Sequence, residues 1–202
     1  MTPKEPIPHA LKPVNRLLDA YAKANGVLVT PIKVMGPGGL LSVFTRQTGI
    51  PLTVAHIPWP SRALNAMVFR FGTPKKVERA EIYLAASLPV EWARFALCKE
   101  LAHLLIDGDE SFGGNPAHTA QSLIDSPLFA RNAVGHPEYM YHVAAMEMLM
   151  PWRRRGMLSA WHFGFMFANE KRAAHFGVPE KLAGIRMSRG TKRMLRRAYA
   201  SL

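Results

Sequence analysis

An α+β fold is predicted for this chain: a small sheet, expected to be antiparallel, packed on a central helix, with a basic helical C-terminal region behind it. Three observations predict it. Short β-branched and aromatic segments crowd residues 27–88, separated by Gly, Pro and Lys clusters. Residues 89–106 carry apolar side chains almost all the way round a helix. The last quarter is helical in pattern and strongly basic.

In order along the chain, residues 1–13 hold four prolines and are expected to be an extended lead-in. Val14, Leu17, Leu18, Tyr21 and Ala22 mark an amphipathic helix that stops at Gly26. GVLVTPIKV, IPLTVAHI, NAMVFRFG and AEIYLAAS read as three or four strands. Gly36-Pro37-Gly38-Gly39 lacks the Gly-Lys-Ser/Thr ending of a phosphate loop and reads as a turn. Trp92, Phe95, Ala96, Leu97, Leu101, Ala102, Leu104 and Leu105 make the next helix a buried, central one. Residues 107–135 are expected to be irregular, and a second strong helix covers about 137–150, ended by Pro151. AHFGVPEKLAGIRM then reads as helix, turn and helix, with Gly177 closing one and Pro179 opening the next. The closing helix sets Met194, Leu195, Tyr199 and Leu202 against Lys192, Arg193, Arg196 and Arg197. The expected organisation is a lead-in over 1–13, a domain over 14–151 and the basic region over 152–202.

The composition narrows the function classes. In 202 residues, 49% hydrophobic and 20% charged content excludes wholesale disorder. No apolar run reaches the roughly 18 residues that span a bilayer. The opening MTPKEPIPHALKP has no apolar core of a secretory signal, and no membrane is expected. One cysteine, Cys98, excludes an internal disulfide framework and a multi-Cys zinc site, so a reducing cytoplasm is expected. Of the net +12 charge, +10 falls in residues 151–202, which hold 12 basic and two acidic residues. Such a surplus attracts phosphate backbones and acidic proteins alike, so nucleic acid enters as a candidate partner, with Arg153, Arg154, Arg155, Lys192, Arg193, Arg196 and Arg197 as its contacts.

The chemistry lies in Lys99-Glu100-Leu101-Ala102-His103 of the central helix. In a zinc peptidase, H-E-x-x-H puts two imidazoles one turn apart to hold the metal, and its Glu takes a proton from the bound water. Here the Glu and the second His are in place, and Lys99 stands where the first His belongs.

RFALCKELAHLLID resembles the RFTLAHELGHLLLH helix of the ImmA/IrrE family of zinc metallopeptidases. VAAMEMLMP resembles that family's FAAELLMP segment, and AAHFGVPEKLAGIRM its closing segment, so the resemblance covers roughly residues 14–188. It implies a metallopeptidase-like domain over 14–151 and a zincin-like central helix. It also implies a role in transcription regulation, often on mobile elements, beside a helix-turn-helix repressor that such proteins cleave.

The departures from the family pattern bear on activity. A protonated Lys99 has no lone pair and repels a dication. The family's third ligand aligns with Met140, with His142 at a neighbouring pattern position; a shift of two residues brings Glu138 into the ligand role instead. Three readings follow. In the leading one the site is dead, a pseudoenzyme in which Lys99 fills the place of the metal, paired with Glu100 or Glu138, and no cofactor is bound. In the second, His103, Glu138 and His142 rebuild a zinc site, with Glu100 as general base. In the third these residues do not meet, and His103 is an ordinary core histidine. Cys98 is expected to be a small buried hydrophobe, and Trp152 to pack in a turn that exposes Arg153–Arg155.

The expected function is thus a regulatory protein, inactive as a peptidase, that binds a protein partner of the helix-turn-helix repressor kind. An active peptidase that cleaves a repressor and a nucleic-acid-binding regulator are the alternatives.

Overall fold

The computed structural model describes residues 6–28, 30–59, 65–73, 76–106, 137–152 and 168–202. Helix α1 spans Pro6–Asn25, so the expected extended lead-in is helical from Pro6 onward. Pro6 and Pro8 sit in the first turn, where the missing N–H has no intrahelical acceptor to lose. Pro13 sits inside the helix and forfeits one bond. Burial offsets that loss: Ile7, Ala10, Leu11, Val14, Leu17, Leu18 and Tyr21 recur every three or four residues and are all buried.

Gly26, with φ of 77°, closes α1 in the left-handed region. The segment GVLVTPIKV is no strand over its described residues. Its backbone groups go elsewhere. The Lys33 N–H donates to the Tyr21 hydroxyl at 3.0 Å, and the Lys33 and Val34 carbonyls accept from Leu40 and Leu41 at the start of the next helix. That helix, α2 (Leu40–Thr48), stands where none is expected. Leu40, Leu41, Val43 and Phe44 bury one face of it, and Gly49 ends it with φ of 74°.

Strands β1 (Leu52–Ile57), β2 (Ala66–Thr73) and β3 (Lys76–Ala85) form a sheet in the order β1-β3-β2. β2 and β3 are an antiparallel hairpin, with a bulge between Phe71 and Gly72. A Cβ at Gly72 would lie 2.3 Å from the Lys76 carbonyl oxygen, so the bulge requires glycine. β1 pairs with β3 in parallel, Val54 opposite Ile82. The sheet is therefore mixed, which corrects the all-antiparallel expectation. The connection after β1 reverses the chain, and the hairpin docks with its second strand beside β1.

Helix α3 (Val90–Ile106) packs on β2 and β3 and buries every residue from Phe95 to Ala102. Helix α4 (Pro137–Leu149) lies against α3 and α1. Helices α5 (Ala168–Phe176), α6 (Glu180–Met187) and α7 (Arg189–Ala200) complete the described fold. Gly177, with φ of 60°, turns the chain between α5 and α6 as expected, and Arg94 of α3 donates to its carbonyl at 2.9 Å. The main core joins Val14, Phe44, Leu97 and Met148 to Phe176, Val178 and Leu182, so it takes side chains from both sides of residue 152. No helix among the described residues is long and apolar enough to cross a membrane.

Candidate functional site

The expected site residues meet at the α3–α4 contact. Lys99, Glu100 and His103 come from α3, and Glu138 and His142 from α4. Lys99 is 9% exposed, Glu100 2% and Glu138 8%, so the three charges are inside the protein. Lys99 Nζ donates to Glu138 Oε2 at 3.0 Å and lies 3.3 Å from Glu100 Oε1. The ammonium thus serves both carboxylates, where either alone was expected. Burial opposes its charge, but Glu100 and Glu138 outweigh burial and hold its pKa above the usual lysine value.

Glu138 divides its two oxygens. Oε2 takes the Lys99 ammonium, and Oε1 lies 3.5 Å from His103 Nε2. Burial raises its pKa, but the His103 contact and the Lys99 charge win and hold it at about 2. His103 stacks on Tyr141 with ring centroids 3.6 Å apart, and its backbone carbonyl accepts from Arg70 of β2 at 2.7 Å. His142 Nδ1 lies 2.7 Å from the Glu138 carbonyl oxygen, which makes Nδ1 the protonated nitrogen. Its ring stacks on Phe95, and Nε2 is buried with no hydrogen-bond partner. Burial, then the Lys99 charge, lowers the His142 pKa to about 4, so the ring is neutral at neutral pH.

Of the two alignments the sequence allowed on α4, the one with Glu138 meets the site. Met140 packs instead on the seam of Leu11, Val143 and Leu195. The reading in which none of these residues meet is overturned.

The donor set does not fit zinc as it is arranged. The protonated Lys99 ammonium, which has no lone pair, sits between Glu100 and Glu138, and both Glu138 oxygens are engaged. Among the described residues no three His, Cys, Asp or Glu side chains form a group suited to a metal ion. An ammonium held above its ordinary pKa is neither base nor nucleophile at neutral pH. As arranged, Lys99, Glu100, Glu138 and His103 form an internal ion network.

A second buried network was not anticipated. Glu147 of α4 is 0% exposed and Arg186 of α6 is 2% exposed. Arg186 Nη2 pairs with Glu147 Oε2 and also donates to the Met150 carbonyl at 3.2 Å. Glu147 Oε1 accepts from the Trp152 N–H and, at 2.7 Å, from the Tyr199 hydroxyl of α7. Burial and the Glu147 charge raise the Tyr199 pKa. Arg186 is therefore no part of the basic surface to which the charge count assigned it. The available signal was one acid inside VAAMEMLM and one base inside LAGIRM, each a lone charge among apolar neighbours.

Trp152 packs as expected, its ring stacked on Tyr199 at 6.0 Å; Arg153, Arg154 and Arg155 lie outside the described residues, as does the whole of the segment 107–135. Arg193, Arg196 and Arg197 are exposed and Lys192 is half-buried. Cys98 is buried, and burial pushes its thiol up to about 12, so it is the inert hydrophobe expected. Comparison with models of known protein families finds no match, and comparison with curated proteins finds none.

Proposed function

We propose that this chain is a cytoplasmic regulatory module, similar to ImmA/IrrE proteins, that binds a protein partner of the helix-turn-helix repressor kind without zinc-dependent cleavage. One observation supports a reading without cleavage: the Lys99 ammonium, at the sequence position of the first zinc-binding His in the resembling family, sits between Glu100 and Glu138. The resemblance of RFALCKELAHLLID and VAAMEMLMP to that family supports the partner class. The test has two arms. Protein grown with added zinc should carry well under one equivalent of tightly held metal. Mixed with helix-turn-helix proteins encoded near it, it should form a complex and leave the partner whole. Partner fragments that vanish with His103→Ala would sink the proposal.

A second reading, a rebuilt metal site on His103, Glu138 and His142, is favoured by one observation. His142 Nε2 carries a lone pair, is buried and has no hydrogen-bond partner. This reading requires the Lys99 ammonium to leave Glu138. Stoichiometric zinc lost on both His103→Ala and His142→Ala would establish it.

A further inference from the structure

We propose that the outward face of α7 is a docking surface for the phosphate backbone of double-stranded nucleic acid. Arg189, Arg193, Arg196 and Arg197 are all exposed. Their spacing of four, seven and eight residues from the first puts them within about 100° of arc on a helix about 18 Å long. Only Gly190 and Ala200 share that exposed face, and both are small. The last acidic residue of the chain is Glu180, so α7 has none of its own. Among the described residues none of the four guanidinium groups has an acidic partner.

The opposite face holds the helix in place. Leu195 and Ala198 are buried with Ile7, Leu11 and Val143, and Met194 and Tyr199 pack on the same seam. The Tyr199 bond to Glu147 fixes the far end of the helix. The arginines are thus presented on a rigid support and not on a frayed tail.

Three features favour phosphate over other anionic partners. The charges on this face are guanidinium forks, which match phosphate oxygens two at a time. The exposed face has no aromatic or aliphatic anchor, which the centre of a protein interface needs. The apolar face is already spent on the core, so α7 cannot lie in a bilayer with that face down. Contacts of this kind read no bases, so binding should be indifferent to sequence.

The test is fluorescence anisotropy of short labelled duplexes of two unrelated sequences, titrated with the full chain. Four phosphate contacts imply a fall in affinity of roughly 100-fold between about 50 and 200 mM salt. Both duplexes should bind alike. Changing Arg189, Arg193, Arg196 and Arg197 together to Gln should weaken low-salt binding by at least roughly tenfold and flatten the salt dependence. The same charge removed as Lys23, Arg46, Lys76 and Arg79 to Gln, all exposed on other elements, should change little. Circular dichroism should show both variants folded, because every changed side chain is at the surface. No binding at low salt would overturn the proposal. So would equal losses in the two variants, since net charge and not this face would then be responsible. Poly-glutamate bound as tightly as duplex would also overturn it, in favour of an acidic protein partner.

Discussion

Helix α4 carries two buried carboxylates nine residues apart, and they are used in opposite ways. At Glu138 the acids outnumber the fixed cation: one ammonium serves Glu138 and Glu100, with His103 alongside. At Glu147 the donors outnumber the acid: Arg186, the Trp152 N–H and the Tyr199 hydroxyl all converge on one carboxylate. The first network joins two helices that already touch along their length. The second ties α4 to α6, α7 and the turn after α4. Their side chains also differ in access to water: 1% exposed for both Arg186 and Glu147, against 11% for Lys99 and 14% for His103. A saturated, sealed carboxylate is a structural latch. The Lys99 cluster has surplus acid and is less sealed, since two carboxylates share one ammonium.

The largest expected effect is on the latch. Arg186→Met leaves the Glu147 charge buried without its cation and should cost about 3–5 kcal/mol in urea unfolding. Adding Glu147→Leu should restore much of that loss, because an apolar pair then replaces an orphaned charge. A loss below about 1 kcal/mol for the single change would mean that the latch does not hold these helices together.

Lys99→Met should cost less, about 1–3 kcal/mol, because the side chains of Lys99 and His103 are less fully buried, at 11% and 14% exposed, than those of the latch. It should also raise affinity for divalent ions above that of the parent, since Glu100, Glu138 and His103 lose their resident cation. Lys99→His should raise it further by adding an imidazole, with no change needed at Met140. Calorimetric titration with zinc measures both. If neither variant gains affinity, the ammonium is not what keeps the cation out.

The pH dependence separates the networks next. Glu138 has a folded pKa of about 2, below its usual 4.5, so the folded state favours the carboxylate. Its stabilisation is complete above the ordinary value and is lost as pH falls from about 5 towards 2, on the order of 3 kcal/mol in total. His142 has a folded pKa of about 4, below its usual 6.5, so its neutral form is the folded one. Its share is lost earlier, between about pH 6.5 and 4. Urea midpoints followed downward from pH 7 should fall in two limbs, and His142→Phe should remove the upper one. An unchanged upper limb would assign it to another group.

The smallest expected effect is Tyr199→Phe, which removes one of three donors to Glu147. About 1 kcal/mol of stability should go, with no change in metal affinity.

The parts legible in the sequence are those with a long, unbroken period. Helices α3 and α4 were expected close to where they stand, because their apolar residues recur over three turns or more. The turn at Gly177 and Pro179 was legible because positive φ and a fixed φ are local properties. The start of α1 was not, because four prolines in the first 13 residues outweighed Ile7, Ala10 and Leu11 until the core was in view. Helix α2 leaves little trace in the sequence because LLSVFTRQT is short and its burial depends on α1. The parallel pairing of β1 was beyond reach, since an alternating strand has the same pattern in either direction.

For the site, the sequence by itself determined the chemical inventory: a lysine where an imidazole would ligate, a glutamate beside it, and a histidine one turn on. These sit on one helix, where spacing alone fixes which face they share. Only the tertiary structure decided what they meet. Glu138 and Met140 are two residues apart, about 200° around a helix, so they face opposite ways. The rotation of α4 against α3 put Glu138 on Lys99 and sent Met140 to the α7 seam. That rotation is set by the packing of Ala144, Ala145 and Met148 in the main core, and by the Glu147 latch to Arg186 and Tyr199. Contacts across 39 to 52 residues of chain leave no periodic trace in the sequence that makes them.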